Sequence, residues 1–196
     1  MNTGVWRRAA AGLCLMVAAL TGVACREPAL PVHPIGGNFR LTDHHGQPFE
    51  LASLKGSIVL VFFGYSSCPD ACPTTLSKLS RAMARLGADR ARVKTLYISV
   101  DPDRDTPDVL KADLENFDLD ALGLTGTRAQ LDQVVKQFGA SYSVVPMPES
   151  AAKYTIMHTT FVYVLDADGR TRTWFPYEAT VDEVVAGLRS MLDDRG

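Results

Sequence analysis

The chain has 196 residues, 46% of them hydrophobic and 21% charged, a composition that fits one compact domain with a sizeable core. Its 20 basic and 22 acidic residues leave a formal charge of −2, with no Lys/Arg cluster to meet a polyanion. That balance excludes a nucleic-acid partner held by electrostatics.

Residues 1–25 read as an export signal. Arg7 and Arg8 form a short positive segment, Ala9 to Ala24 is almost wholly apolar, and small residues lead to Cys25. The apolar stretch is short for a membrane span, which needs about 20 residues. Its end, Leu20-Thr-Gly-Val-Ala-Cys25, resembles a bacterial lipoprotein cleavage site, with Cys25 as the lipidated new N-terminus. Gly22 departs from that pattern, standing where Leu is usual. Simple cleavage near Ala24 and an uncleaved anchor are the alternatives. Residues 26–37, which contain Pro28 and Gly37, read as a tether, and 38–196 as the folded domain.

Within that domain, Asn38 to Thr42 and Gln47 to Leu51 flank Asp43-His-His-Gly46 as a hairpin. Ile58 to Phe63 is a continuous apolar run, the mark of a buried strand. Cys72 to Leu86 carries Leu76, Leu79, Met83 and Leu86 at helical spacing and stops at Gly87. Val93 to Val100 is a second strand. A helix then starts at Asp105-Thr-Pro-Asp108, with Thr106 as cap and Pro107 in the first turn, and runs through Phe117. Thr127 opens another helix, Arg128 to Phe138. Thr160 to Leu165 and Arg170 to Phe175 are strands joined at Asp166-Ala-Asp-Gly169, and Val181 to Leu192 is a closing helix. This order, with a dithiol between strand and helix, predicts an α/β, thioredoxin-like fold with an N-terminal hairpin and an inserted helix.

The chemistry concentrates at Gly64-Tyr-Ser-Ser-Cys-Pro-Asp-Ala-Cys-Pro73. Were a helix to begin inside this loop, Cys68 and Cys72 would stand at i and i+4 on one face, β-carbons roughly 5–6 Å apart. That spacing suits one metal ion or one disulfide. With Cys14 removed and Cys25 lipidated, these two are the domain's remaining cysteines. A bridge closing so short a loop removes little unfolded-chain entropy, so a purely structural disulfide is poorly motivated. A helix N-terminus favours thiolate, hence both a nucleophile and a metal ligand. Thioredoxin's Cys-x-x-Cys has one residue fewer, so the match to an ordinary oxidoreductase is imperfect. Two thiolates hold a soft ion incompletely, and the candidate third ligands are His33, His44, His45 and His158. His158 stands out because it precedes the strand that such folds bring beside the dithiol. His33, His44 and His45 are expected to be exposed in tether and turn, with His44 and His45 able to bind adventitious metal. Met147 and Met157 are expected to pack.

Four ordered motifs resemble the Sco (SenC/PrrC) copper chaperones: Gly64 through Leu76, Asp101-Pro-Asp-Arg-Asp-Thr-Pro107, Gly123-Leu-Thr-Gly-Thr127 and Tyr154-x-x-x-His158. The resemblance spans roughly Asn38 to Leu192. It implies a thioredoxin fold whose Cys68, Cys72 and His158 bind copper, and a role in assembling the dinuclear copper centre of cytochrome c oxidase. The implied setting is the periplasmic side of a bacterial membrane, and the implied partners are the oxidase's copper-bearing subunit, other periplasmic copper chaperones and thiol reductants. Two thiolates and an imidazole close a three-coordinate Cu(I) site, whereas structural zinc takes four ligands. Cu(II) prefers more, so water or an oxygen of Asp70 or Asp101 would complete an oxidised site; otherwise Asp70 caps the helix or faces solvent, and Asp101 with Arg104 orders the neighbouring loop. The alternatives are a thiol–disulfide oxidoreductase acting through Cys68 and Cys72 on the target's cysteines, or a copper and redox sensor.

Overall fold

A computed structural model describes residues 30–193, so the predicted signal, Cys14 and Cys25 lie outside the described residues. The strands are β1 (Arg40–Asp43), β2 (Pro48–Glu50), β3 (Ile58–Gly64), β4 (Val93–Ser99), β5 (Ala121–Thr125), β6 (Tyr142–Met147), β7 (Lys153–His158), β8 (Val162–Leu165) and β9 (Thr171–Phe175). The helices are α1 (Ala71–Leu86), α2 (Pro107–Leu114), α3 (Arg128–Gln137) and α4 (Val181–Asp193).

β3 is the axis of the molecule. All seven of its residues are buried, as a continuous apolar run requires of a strand covered on both faces. It pairs parallel with β4 and antiparallel with β8 in a seven-stranded sheet ordered β2-β1-β5-β4-β3-β8-β9. Parallel neighbours cannot be joined by a tight turn, so α1 carries the crossover from β3 to β4 and α2 that from β4 to β5. This is the thioredoxin-like α/β architecture that the alternation of elements predicts.

The two faces of the sheet are built differently. On one, Phe62, Tyr97 and Gly123 stand in register, beneath α1 and α2; Gly123 lies close under α2, where a β-carbon would sit 3.0 Å from Leu114 and 3.1 Å from Leu110 and force them to shift. On the other, Phe138 at the end of α3 packs edge-on against Phe39, Phe63 and Tyr163 at centroid distances of 5.2–6.2 Å. Residues 30–37 lie along this body: the His33 amide donates to the Thr171 carbonyl, the Gly36 amide to that of Gln137, and Arg172 to that of Leu30. Gly36 has φ +87°, and a β-carbon there would sit 2.8 Å from Thr171 Oγ1.

The capping signals in the sequence act as read. Thr106 accepts the Val109 amide ahead of Pro107, and Thr127 and Gln130 form a reciprocal capping box. Gly87, at φ +61°, ends α1. Three features differ from expectation. α2 stops at Leu114 rather than Phe117. β5 is a strand that its glycine and shortness conceal. Residues 142–158 form a separate antiparallel hairpin, β6–β7, whose exposed, proline-containing β6 lacks an alternating pattern. His158 therefore ends a strand of its own, and β8 begins only at Val162.

Candidate metal centre

Cys68 and Cys72 meet by a route other than a shared helical face. The helix starts at Ala71, so only Cys72 is helical, while Cys68 sits in the preceding turn, its amide donating to the Tyr65 carbonyl. Asp70 occupies the cap position and is exposed, but its side chain makes no capping bond. The Cys68 sulfur takes that place instead, accepting the Cys72 amide at 3.5 Å. Both cysteines are free thiols, Cys72 buried and Cys68 partly exposed.

His158 completes the group. Its Nε2 lies 3.6 Å from Cys72 Sγ, and the donor atoms of Cys68, Cys72 and His158 all fall within 4.8 Å of one another. Its Nδ1 is 3.1 Å from the Thr159 carbonyl oxygen, which can only accept. Nδ1 therefore carries the proton, and the Nε2 lone pair faces the sulfurs, the tautomer a metal ligand needs. The ring is held edge-on by Phe62 and Tyr65, at centroid distances of 6.2 and 5.8 Å.

The two thiols are driven apart in acidity. Hydrogen bonding from the Cys72 thiol holds Cys68 far below the ordinary thiol range, and the Asp70 and Cys72 amides add to this against the cost of burial. Cys72 is pushed well above that range by its hydrogen bond to Cys68, by burial and by the Cys68 charge. One thiolate and one thiol, side by side, are the result. A metal ion displaces the second proton.

One turn, Asp101 to Asp105, ties the two halves of the group together. Asp105 is fully buried and accepts from Ser66 N at 3.0 Å, Ser66 Oγ at 2.5 Å and Ser99 Oγ at 2.6 Å, which fixes the loop that carries Cys68. Burial pushes the Asp105 carboxyl up, against the pull of those hydrogen bonds. Asp101, equally buried, pairs with Arg104 Nε and accepts the Tyr154 hydroxyl at 2.8 Å. Arg104 lies 3.8 Å over the Tyr154 ring and donates to the Ala152 and Tyr154 carbonyls, which fixes β7 four residues before His158. Tyr65 adds a third tie, its hydroxyl pairing with Thr155 Oγ1 at 2.9 Å and accepting the Ile156 amide.

The other candidates fall outside the group. Asp101 is consumed by Arg104 and Tyr154, and among the described residues no carboxylate joins the two cysteines and His158. His44 is half-buried: its Nδ1 accepts the Gly123 amide, so Nε2 must donate to His45 Nε2 at 3.0 Å, and a metal would have to break that pair. His33 is half-buried against Trp174, ring centroids 4.8 Å apart. Met157 and Met147 are exposed rather than packed. Tyr65, Ser66 and Asp105 stand in the sequence motifs, but only their long-range bonds disclose their roles.

Two outcomes test this arrangement. Iodoacetamide should label Cys68 in the metal-free protein at a rate that stays near its plateau as pH falls from alkaline through neutral, because a lowered pKa keeps the thiolate populated; Cys72 should stay unlabelled until unfolding. A rate that tracks an ordinary thiol titration near ~8.5 overturns it. Arg104→Ala leaves the Asp101 carboxylate buried without its cation and should cost about 3 kcal/mol in urea unfolding, with the His158 imidazole resonances shifted. A cost below ~1 kcal/mol with those resonances unmoved contradicts the clamp.

Comparison with known proteins gives these residues a context. A family model, SCO1/SenC, matches residues 28–193. The chain is 36% identical over 155 residues to the SCO2-like protein of Rickettsia felis, covering 79% of this chain and 76% of that one. Among solved structures it resembles Bradyrhizobium japonicum ScoI with copper bound, at 39% identity and a TM-score of 0.73, covering 80% and 99% of the two chains. It also resembles yeast Sco1 with copper bound, at 30% identity and a TM-score of 0.74, covering 85% and 90%. BsSco, described as a member of the Sco family of cytochrome c oxidase assembly proteins, matches at 25% identity and a TM-score of 0.65 over 84% and 96%. The chain, with its two thiols and imidazole at the end of a thioredoxin-like sheet, belongs to the SCO1/SenC family.

Proposed function

We propose that this protein binds one copper ion through Cys68 Sγ, Cys72 Sγ and His158 Nε2 and delivers it to the copper-bearing subunit of cytochrome c oxidase. The observation that carries the reading is the convergence of three donors within 4.8 Å, with the imidazole lone pair already turned to the sulfurs. Two thiolates and one imidazole suit Cu(I), which accepts three soft or borderline ligands, whereas a structural zinc site takes four. Copper-bound relatives of similar fold support the choice of metal.

Delivery follows from the unequal exposure of the donors. Cys72 is buried, while Cys68 and His158 form the partly open side. An incoming thiolate of the target meets copper on that side, displaces the imidazole and then Cys68, and leaves Cys72 to be released and reprotonated last. The same pair, an accessible thiolate beside a buried thiol, is also what disulfide exchange requires, so reduction of the target's cysteines is the second reading.

Anaerobic Cu(I) titration of the reduced domain against a competing chelator, for the parent and His158→Ala, decides between them. The parent should bind one equivalent and the variant should bind ~10-fold or more weakly. Equal binding by both removes His158 from the site and puts thiol exchange first.

The anchoring is part of the same reading. No helix among the described residues is long and apolar enough to cross a membrane. Cys25, lipidated after cleavage, would hold the domain on the periplasmic side, where other copper chaperones and thiol reductants can reach it. Full-length protein should then fractionate with membranes and Cys25→Ser with the soluble fraction; membrane retention of the variant refutes the lipid anchor.

A further inference from the structure

Tyr97 is a fully buried phenol whose hydroxyl makes no well-formed hydrogen bond and interacts with the Cys72 sulfur. It lies on β4 in register with Phe62 and Gly123, ring centroid 5.9 Å from that of Phe62, on the sheet face beneath α1. Burying a hydroxyl without a well-formed hydrogen bond costs free energy, and phenylalanine would fill the same space without that cost. The hydroxyl also points somewhere specific. A β-carbon built on Gly64 would stand 2.9 Å from Tyr97 Oη and 2.8 Å from Cys72 Sγ. The absent side chain of Gly64 therefore opens the gap in which the phenol and the buried sulfur are neighbours.

Cys72 Sγ also lies 3.6 Å from His158 Nε2, as a member of the three-donor group. A cysteine binds metal as its thiolate, so loading makes this sulfur an anionic acceptor. We propose that Tyr97 is a positioning residue whose hydroxyl donates to the Cys72 thiolate in the loaded site and sets the site's preference for Cu(I) over Cu(II). The inference rests on the copper reading above and concerns a residue outside the ligand set. A hydrogen bond withdraws charge from the sulfur, which weakens its donation to Cu(II) more than to Cu(I). The contact between the Tyr97 hydroxyl and the Cys72 sulfur, weak in the metal-free protein, is thereby strengthened when cargo is bound.

The test is Tyr97→Phe, which removes one oxygen and nothing else. The full-length parent and variant are loaded with Cu(II), the sulfur-to-copper charge-transfer band is recorded, and the one-electron potential is measured. The band should move to longer wavelength. The ratio of Cu(II) to Cu(I) affinity should rise about tenfold, a fall in potential of ~59 mV for one electron. Thermal unfolding of the reduced, metal-free variant should occur at the parent's temperature or above, because no well-formed hydrogen bond is lost and phenylalanine fills the same buried space. An unchanged band and potential in Tyr97→Phe overturn the inference while leaving the copper site intact, as does a lower unfolding temperature with unchanged potential. A parent with no sulfur-to-copper band overturns this inference alone, since the copper reading stands or falls on its Cu(I) titration.

Discussion

The carboxylates of Asp101 and Asp105 are both fully buried and both spend their oxygens on the segments that carry the donor atoms. Cys72 and His158 are 86 residues apart in the chain, and nothing local brings them together. Asp105 holds the loop after β3 and Asp101, through Arg104 and Tyr154, holds β7. A single turn of five residues is thus bonded to both sides of the group. Charges are seldom buried without such payoff in partners, since an unsatisfied carboxylate in the interior is costly. The geometry of the three donors is inherited from this turn more than from the helix that begins at the cysteines.

The sheet supplies the rest. Because β3 is buried on both faces and ends at Gly64, its last residue can lie against another side chain without a β-carbon in the way, and Cys72 Sγ and the Tyr97 ring occupy that space. The helix that follows starts with its amides pointing back at the loop, so the Cys68 sulfur is stabilised as an anion where an ordinary cap would stand. The electrostatic difference between the two sulfurs follows from placement: Cys68 receives hydrogen bonds and partial solvation, Cys72 receives burial and the neighbouring charge. Copper loading and thiol exchange both draw on that asymmetry, which is why one dithiol supports both readings and why the imidazole separates them.

Much of this was legible in the chain, and the exceptions share a cause. The apolar run at Ile58, the helical spacing from Leu76 to Leu86 and the caps at Thr106 and Thr127 are local signals, and each marks the element found there. The β6–β7 hairpin left no such mark: only Ile156 in it is buried, so no alternation was imposed on its sequence. β5 was hidden by Gly123, whose missing side chain answers to α2 packing over it. His44 read as an exposed turn residue because its bond to the Gly123 amide joins positions 79 apart.

The sequence by itself determined the central strands β3, β4 and β8, the four helices and the identity of the soft donors, because periodicity, capping residues and a Cys-x-x-x-Cys between strand and helix are written within a few residues of one another. The tertiary structure alone decided how the cysteines meet, which nitrogen of His158 faces them, that Asp101 is spent on Arg104 and Tyr154, and that Tyr97 Oη lies beside Cys72. Each of those depends on contacts between segments far apart in the chain, whose distances are set by packing of the whole core and leave no local pattern to read.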